Sequence, residues 1–207
     1  MFNIYETRKD RDELLDKLKK LDPCVALVIA FLDFEWTVRR CILALGKSPT
    51  KDINAKFAGE LPIKFFREGK RVEQIEKARG NGKFICGLEG YKELWTKEVL
   101  PVRKISLFDL LKSKVKVEKI PEFDLEKLKL LNVNESVLKN TDAFLKFVFK
   151  RFRNTLIHGV RSKVEEDTAK FVFNFMVACS RALCAYADEQ GKSIYGKKII
   201  RKTTAKE

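Results

Sequence analysis

One apolar period dominates the first half of the chain. From Asp22-Pro23 to Gly46, Leu27, Phe31, Phe34, Val38, Cys41 and Leu45 recur in alternating steps of four and three. Such spacing puts them on one face of an α-helix and on no single face of a strand. A second row, Val25, Val28, Leu32, Trp36 and Leu43, widens the face, so the helix is expected to be buried on most sides. Its boundaries are legible too: Asp22 is a capping acid, Pro23 suits the first helical position, and Gly46-Lys47-Ser48-Pro49 ends the run. A helix apolar nearly all round has to be enclosed by others.

The remaining pattern supplies them. Residues 6–21 read as a charged helix with Leu14, Leu15, Leu18 and Leu21 as its apolar side. Helices are also expected over Leu88–Val99, stopped by Pro101, and over Ser106–Leu111 and Leu125–Leu131. Lys114 to Pro121 alternates charged and apolar residues, which fits a short strand or an extended connector. Asn140-Thr141-Asp142 caps a helix with Phe144, Val148, Phe152 and Leu156 on its core row, Leu145 and Phe149 beside them, and His158-Gly159 at its end. The last helix, from about Val164 to Glu189, carries Thr168, Phe171, Val172, Phe175, Cys179, Ala182, Leu183 and Tyr186 as its stripe, with Gly191 as terminator. Between the early and late helices, residues 46–86 are irregular and rich in Gly, Pro and Asn, either a substrate-facing loop or a solvated insertion. No internal repeat is visible. The expected fold is all-α: one helical domain over 1–191, with the 46–86 insertion and a basic tail over 192–207.

Charge narrows the partners. Lys and Arg number 43 against 29 Asp and Glu, a net +14, which favours polyanions, nucleic acid before an anionic membrane surface. The five cysteines form no Cys-x-x-Cys pair and sit mostly within apolar helical patterns, so a zinc module is not expected and a reducing, cytoplasmic setting is. The N-terminus carries charges where a signal peptide needs an apolar core. The longest apolar run, Cys24 to Leu32, falls far short of the ~20 residues of a membrane span. A soluble protein without membrane contact is expected.

The chain has a single histidine, His158, so any imidazole chemistry has only one place to occur. Lys150, Asn154 and His158 follow at i, i+4 and i+8, with Arg151 and Arg153 alongside, and no acid lies between Asp142 and Glu165. An edge of cations, an amide and an imidazole suits a phosphate and a proton transfer near neutral pH. A histidine that merely caps a helix C-terminus is the structural alternative.

Arg153-Asn154-x-x-x-His158 resembles the R-x(4–6)-H signature of the HEPN superfamily, in the form where a polar residue follows the arginine. Phe34-Glu35-Trp36-Thr37-Val38-Arg39-Arg40 looks like that family's first core helix, and Gly87-Leu-Glu-Gly-Tyr-Lys-Glu-Leu-Trp95 resembles groups with an insertion between the two. The resemblance spans about residues 20–190. It implies a HEPN-like bundle and an endoribonuclease of toxin or defence type needing no metal or other cofactor, with two protomers pairing their motifs in one cleft. On that footing His158 is the acid or base, Arg153 binds the scissile phosphate, and Asn154 orients His158 or a phosphate oxygen.

In an ideal helix Arg153 and His158 lie about 140° apart, which by itself calls for a wrapped arginine or a second subunit. Glu35 and Arg39 are either a structural i, i+4 ion pair or supports for Arg153. Lys150, Arg151, Arg161 and the tail cations Lys197, Lys198, Arg201 and Lys202 are the expected RNA contacts. Trp36 and Trp95 are expected in the core. The implied partners are RNA, a second copy of the chain, and an antitoxin or regulatory protein. A non-catalytic module binding RNA or nucleotides and a helical interaction protein are the competing readings.

Overall fold

The computed structural model describes residues 7–18, 20, 22–47, 87–130, 133–138, 140–157 and 164–195. Among them every regular element is helical and no strand occurs. The helices are α1 (Arg8–Leu18), α2 (Pro23–Leu45), α3 (Gly87–Glu98), α4 (Leu100–Arg103), α5 (Leu107–Lys114), α6 (Leu125–Leu130), α7 (Glu135–Leu138), α8 (Thr141–Val148), α9 (Asn154–Ile157) and α10 (Glu166–Glu189). A 3-10 turn covers Val117–Lys119, and a π-helical turn, Phe149–Arg153, joins α8 to α9.

The centre of the bundle is α2 laid along α10, the most extensive pairing in the fold. Leu27, Phe31, Phe34, Val38, Cys41 and Leu45 are all fully buried, as their shared face requires. They meet Phe171, Val172, Phe175, Cys179 and Leu183 of α10 in one core. The caps form as the residues imply. Asp22 accepts from the Cys24 and Val25 N–H groups at 2.8 and 3.1 Å, and Asn140 accepts from those of Asp142 and Ala143 at 3.1 and 3.3 Å. A Cβ on Gly46 would lie 2.6 Å from the Ile42 carbonyl oxygen, so only glycine fits where the chain leaves α2.

Several expectations are corrected. The second row of α2 is buried only toward its C-terminal end, at Trp36 and Leu43, whereas Val25 and Leu32 are 49% and 47% exposed. Pro101 does not simply stop a helix: α3 ends at Glu98, and the proline takes an early position in α4, where its missing N–H costs no hydrogen bond. Lys114 to Pro121 forms neither a strand nor a fully extended connector, since Val117–Lys119 closes a 3-10 turn that buries Val117 and Ile120. The helix from Thr141 is not uniform either. The Asn154 N–H bonds to the Phe149 carbonyl, a π-type step that widens the turn by one residue. That widening lets Phe149 meet Phe31 and Phe34 edge-to-face at 5.5 and 5.7 Å while Phe152 stays buried against Phe147.

The two ends of the described chain are tied to the bundle. Arg11 continues the Leu15–Leu18 stripe inward and forms a fork-to-fork pair with Asp33, 2.7 Å at each contact, with side chains 1% and 0% exposed. Burial alone would depress the Arg11 pKa, but the Asp33 hydrogen bonds and charge override it and hold the guanidinium firmly protonated. After Gly191, at φ +65°, the chain turns back. Ile194 is buried, its carbonyl accepts from Arg40 Nε at 2.6 Å, and the Tyr195 ring lies 6.1 Å from that of Trp36. The body therefore runs through Tyr195, past the expected start of the tail at 192.

Candidate functional site

Arg153 ends the π-helical turn, and that placement aims its side chain across the bundle at α2. There Nε and Nη2 both bond to one oxygen of Glu35, Oε1, at 3.0 and 2.9 Å. The other oxygen, Oε2, accepts from the Tyr91 hydroxyl of α3 at 2.8 Å. The same phenol oxygen accepts from Arg39 Nε and Nη2 at 3.0 and 2.7 Å. Arg39 thus reaches Glu35 mainly through Tyr91; its direct approach to the carboxylate is 3.9 Å. Three helical elements converge here on one carboxylate and two guanidiniums.

Exposure separates this cluster from the other buried arginine. Arg11 and Asp33 form a closed one-to-one pair that water does not reach, which fits a fastening. Around Glu35, two cations share one anion, the arginine side chains are 14% and 16% exposed, and the carboxylate 8%. The Tyr91 phenol is pushed up, first by burial and then by the neighbouring Glu35 charge, with Arg39 opposing, so it remains neutral at physiological pH. The described side chains of the cluster therefore carry two positive charges against one negative. An arrangement of that kind, at the edge of a low-dielectric core, attracts an anion more strongly than exposed lysines do.

The remaining expected residues are placed as follows. Asn154 is exposed beside Arg153 and accepts from its Nη1 at 3.4 Å. Lys150 is exposed and Arg151 half-buried on the same π-helical turn. Uniform α geometry does not hold across 149–153, so the rotation from Lys150 to Asn154 is smaller than four ideal α steps. His158, Arg161, Lys197, Lys198, Arg201 and Lys202 lie outside the described residues, as does nearly all of the 46–86 segment. Trp36 and Trp95 are buried, within the core. Glu35 and Arg39 are brought to Arg153.

Tyr91 was not identified from the sequence. Its signal was present: Leu88, Tyr91 and Trp95 follow at i, i+3 and i+7 on a core-facing stripe. A tyrosine there needs a partner for its hydroxyl, and Glu35 was the buried acid in want of donors.

A cavity of about 300 Å³ lies elsewhere, lined by Glu122, Phe123, Asp124, Leu128, Asp167, Thr168 and Phe171. It shares no residue with the Glu35 cluster, and its three acids repel a polyanion. Among the described residues, no three His, Cys, Asp or Glu side chains gather to hold a metal ion, and no helix is long and apolar enough to cross a membrane. Compared with family models, curated proteins and solved structures, the chain matches none.

Proposed function

We propose that the chain is a metal-independent endoribonuclease of toxin or defence type, built on a HEPN-like bundle and acting as a homodimer with its site in the shared cleft. The observation that carries this reading is the seating of Arg153 on Glu35, with Nε and Nη2 at 3.0 and 2.9 Å from one oxygen. A guanidinium restrained in this way pays little conformational entropy when it meets a phosphate, and its remaining Nη edge is the one that borders exposed Asn154. Net charge supports the substrate class, because +14 draws RNA to the surface and the acid-free stretch from Ala143 to Val164 concentrates cations near the site.

In the proposed reaction His158 acts on a ribose 2′-OH. The proton passes to imidazole as the 2′ oxygen attacks the adjacent phosphorus, and the P–O5′ bond breaks. A protonated imidazole, from the same or the second protomer, returns a proton to the leaving 5′ oxygen. The products are a 2′,3′-cyclic phosphate and a 5′-OH. Arg153 holds the phosphate and stabilises its developing charge, Asn154 orients a phosphate oxygen or His158, and Glu35 fixes Arg153. Lys150, Arg151, Arg161 and the tail cations Lys197, Lys198, Arg201 and Lys202 carry the flanking backbone.

The test is incubation of labelled single-stranded RNA with the protein in EDTA, beside His158→Ala. Cleavage by the wild type alone, leaving cyclic-phosphate ends, is the expected result; cleavage that survives in His158→Ala rejects the mechanism. Binding of RNA without cleavage in either form selects the alternative of a non-catalytic RNA- or nucleotide-binding module, which the engagement of Arg153 by Glu35 also accommodates. Light scattering at micromolar concentration tests the dimer, and a strict monomer rejects the shared cleft.

A further inference from the structure

Glu35 has two oxygens, and the way they are divided decides where Arg153 points. Left to itself, a carboxylate facing an arginine takes the fork-to-fork geometry seen at Arg11 and Asp33, two parallel bonds at 2.7 Å. At Arg153 this does not happen: both of its contacts go to Oε1, while Oε2 is turned to the Tyr91 hydroxyl at 2.8 Å. The phenol oxygen in turn accepts from Nε and Nη2 of Arg39, so its single donor and both lone pairs are used. Arg39 also lies over the Tyr91 ring, its Cζ 5.4 Å from the centroid. Tyr91 itself is wholly buried and cannot shift without disturbing α3.

We propose that Tyr91 is the positioning residue of this site: by holding Glu35 Oε2 and Arg39 together, it keeps Arg153 and Arg39 as a paired clamp for one phosphodiester. This rests on the ribonuclease reading for its substrate, but the geometry it describes is independent of catalysis. Tyr91 does not touch the phosphate. It acts through Glu35 on one arginine and directly on the other, and its removal frees the carboxylate to rotate into a closed pair with either guanidinium.

The experiment compares wild type with Tyr91→Phe, which keeps the ring and deletes the hydroxyl. With RNA as substrate, kcat is expected to fall about 10- to 100-fold, the scale of losing a hydrogen bond to a charged group, while KM stays unchanged because the outer cations are intact. A purely structural role moves the melting temperature but leaves kcat of the folded variant alone, and that outcome overturns the proposal. The second measurement needs no cleavage. In nitrogen-15 NMR spectra of wild type, the Arg39 and Arg153 Nε–H signals are expected to shift together when inorganic phosphate is titrated in. Movement of Arg153 alone, or of neither, overturns the clamp, whether or not Tyr91→Phe folds. A wild type that leaves RNA intact but shows the paired shift rejects the ribonuclease reading and retains the clamp.

Discussion

Replacing Glu35 by glutamine keeps the shape of the side chain and removes the negative charge that Arg39 and Arg153 share. At about 4 Å and an effective dielectric of about 20, each charge pair is worth about 4 kcal/mol before desolvation is counted. Breaking a fully buried pair costs about 3–5 kcal/mol, and an exposed pair about 0–1 kcal/mol. With the arginine side chains 14% and 16% exposed and Glu35 8% exposed, the cluster lies between these limits, and a loss of about 2 kcal/mol is expected. For a chain of this length that lowers the melting temperature by about 4–8 °C. Both guanidiniums then lose the counter-charge that Glu35 supplies, so the variant should bind inorganic phosphate more tightly than wild type does. Phosphate at about ten times its Kd returns about 1.4 kcal/mol, most of the deficit. The assay is thermal unfolding of both proteins in phosphate and in chloride of matched ionic strength. A Glu35→Gln variant as stable as wild type, or one that phosphate stabilises no more than wild type, refutes the electrostatic account.

Other perturbations test other parts of the structure. Arg11→Met leaves Asp33 buried without its partner and is expected to cost about 3–5 kcal/mol in chemical denaturation, with little dependence on salt because water does not reach the pair. Ending the chain after Gly191 removes buried Ile194 and should cost about 2–5 kcal/mol, whereas ending it after Tyr195 retains that contribution; equal denaturation midpoints for the two would contradict the docking. Stability should fall at alkaline pH. Burial and then Cys184 raise the Tyr195 phenol from 10.0 to about 12, and burial raises the Cys184 thiol above 9.0. The folded state therefore holds these protons longer than the unfolded chain, so their contribution is complete below about pH 9 and is lost as pH rises toward about 12. Guanidinium midpoints at pH 8 and 11 check this, and Tyr195→Phe should flatten the difference.

Much of the fold was legible because burial follows the helical period. The row from Leu27 to Leu45 and the stripe from Thr168 to Tyr186 are the two faces that pack in the core, and capping chemistry marked Asp22 and Asn140. What the period hides is the partner of a polar residue. Arg11 stands four residues before Leu15 on the same stripe, yet nothing local shows that Asp33 waits for it 22 positions later. Tyr91 is hidden in the same way, since its bonds to Glu35 and Arg39 span more than 50 residues. The π-helical turn at Phe149–Arg153 was invisible for a different reason. It is set by where Phe31 and Phe34 lie on α2, a tertiary demand that overrides local α-helical preference. Exposed Val25 and Leu32 show the converse limit, for apolar spacing marks a face without naming what covers it.

The central claim is that Arg153, held by Glu35, binds the phosphate at which RNA is cut. It is tested most directly by following cleavage and binding of one end-labelled single-stranded RNA side by side, with wild type and Arg153→Ala. The account predicts that wild type cuts the RNA to fragments ending in 2′,3′-cyclic phosphate, and that Arg153→Ala still binds through the outer cations but does not cut. Cleavage by Arg153→Ala at the wild-type rate would contradict it.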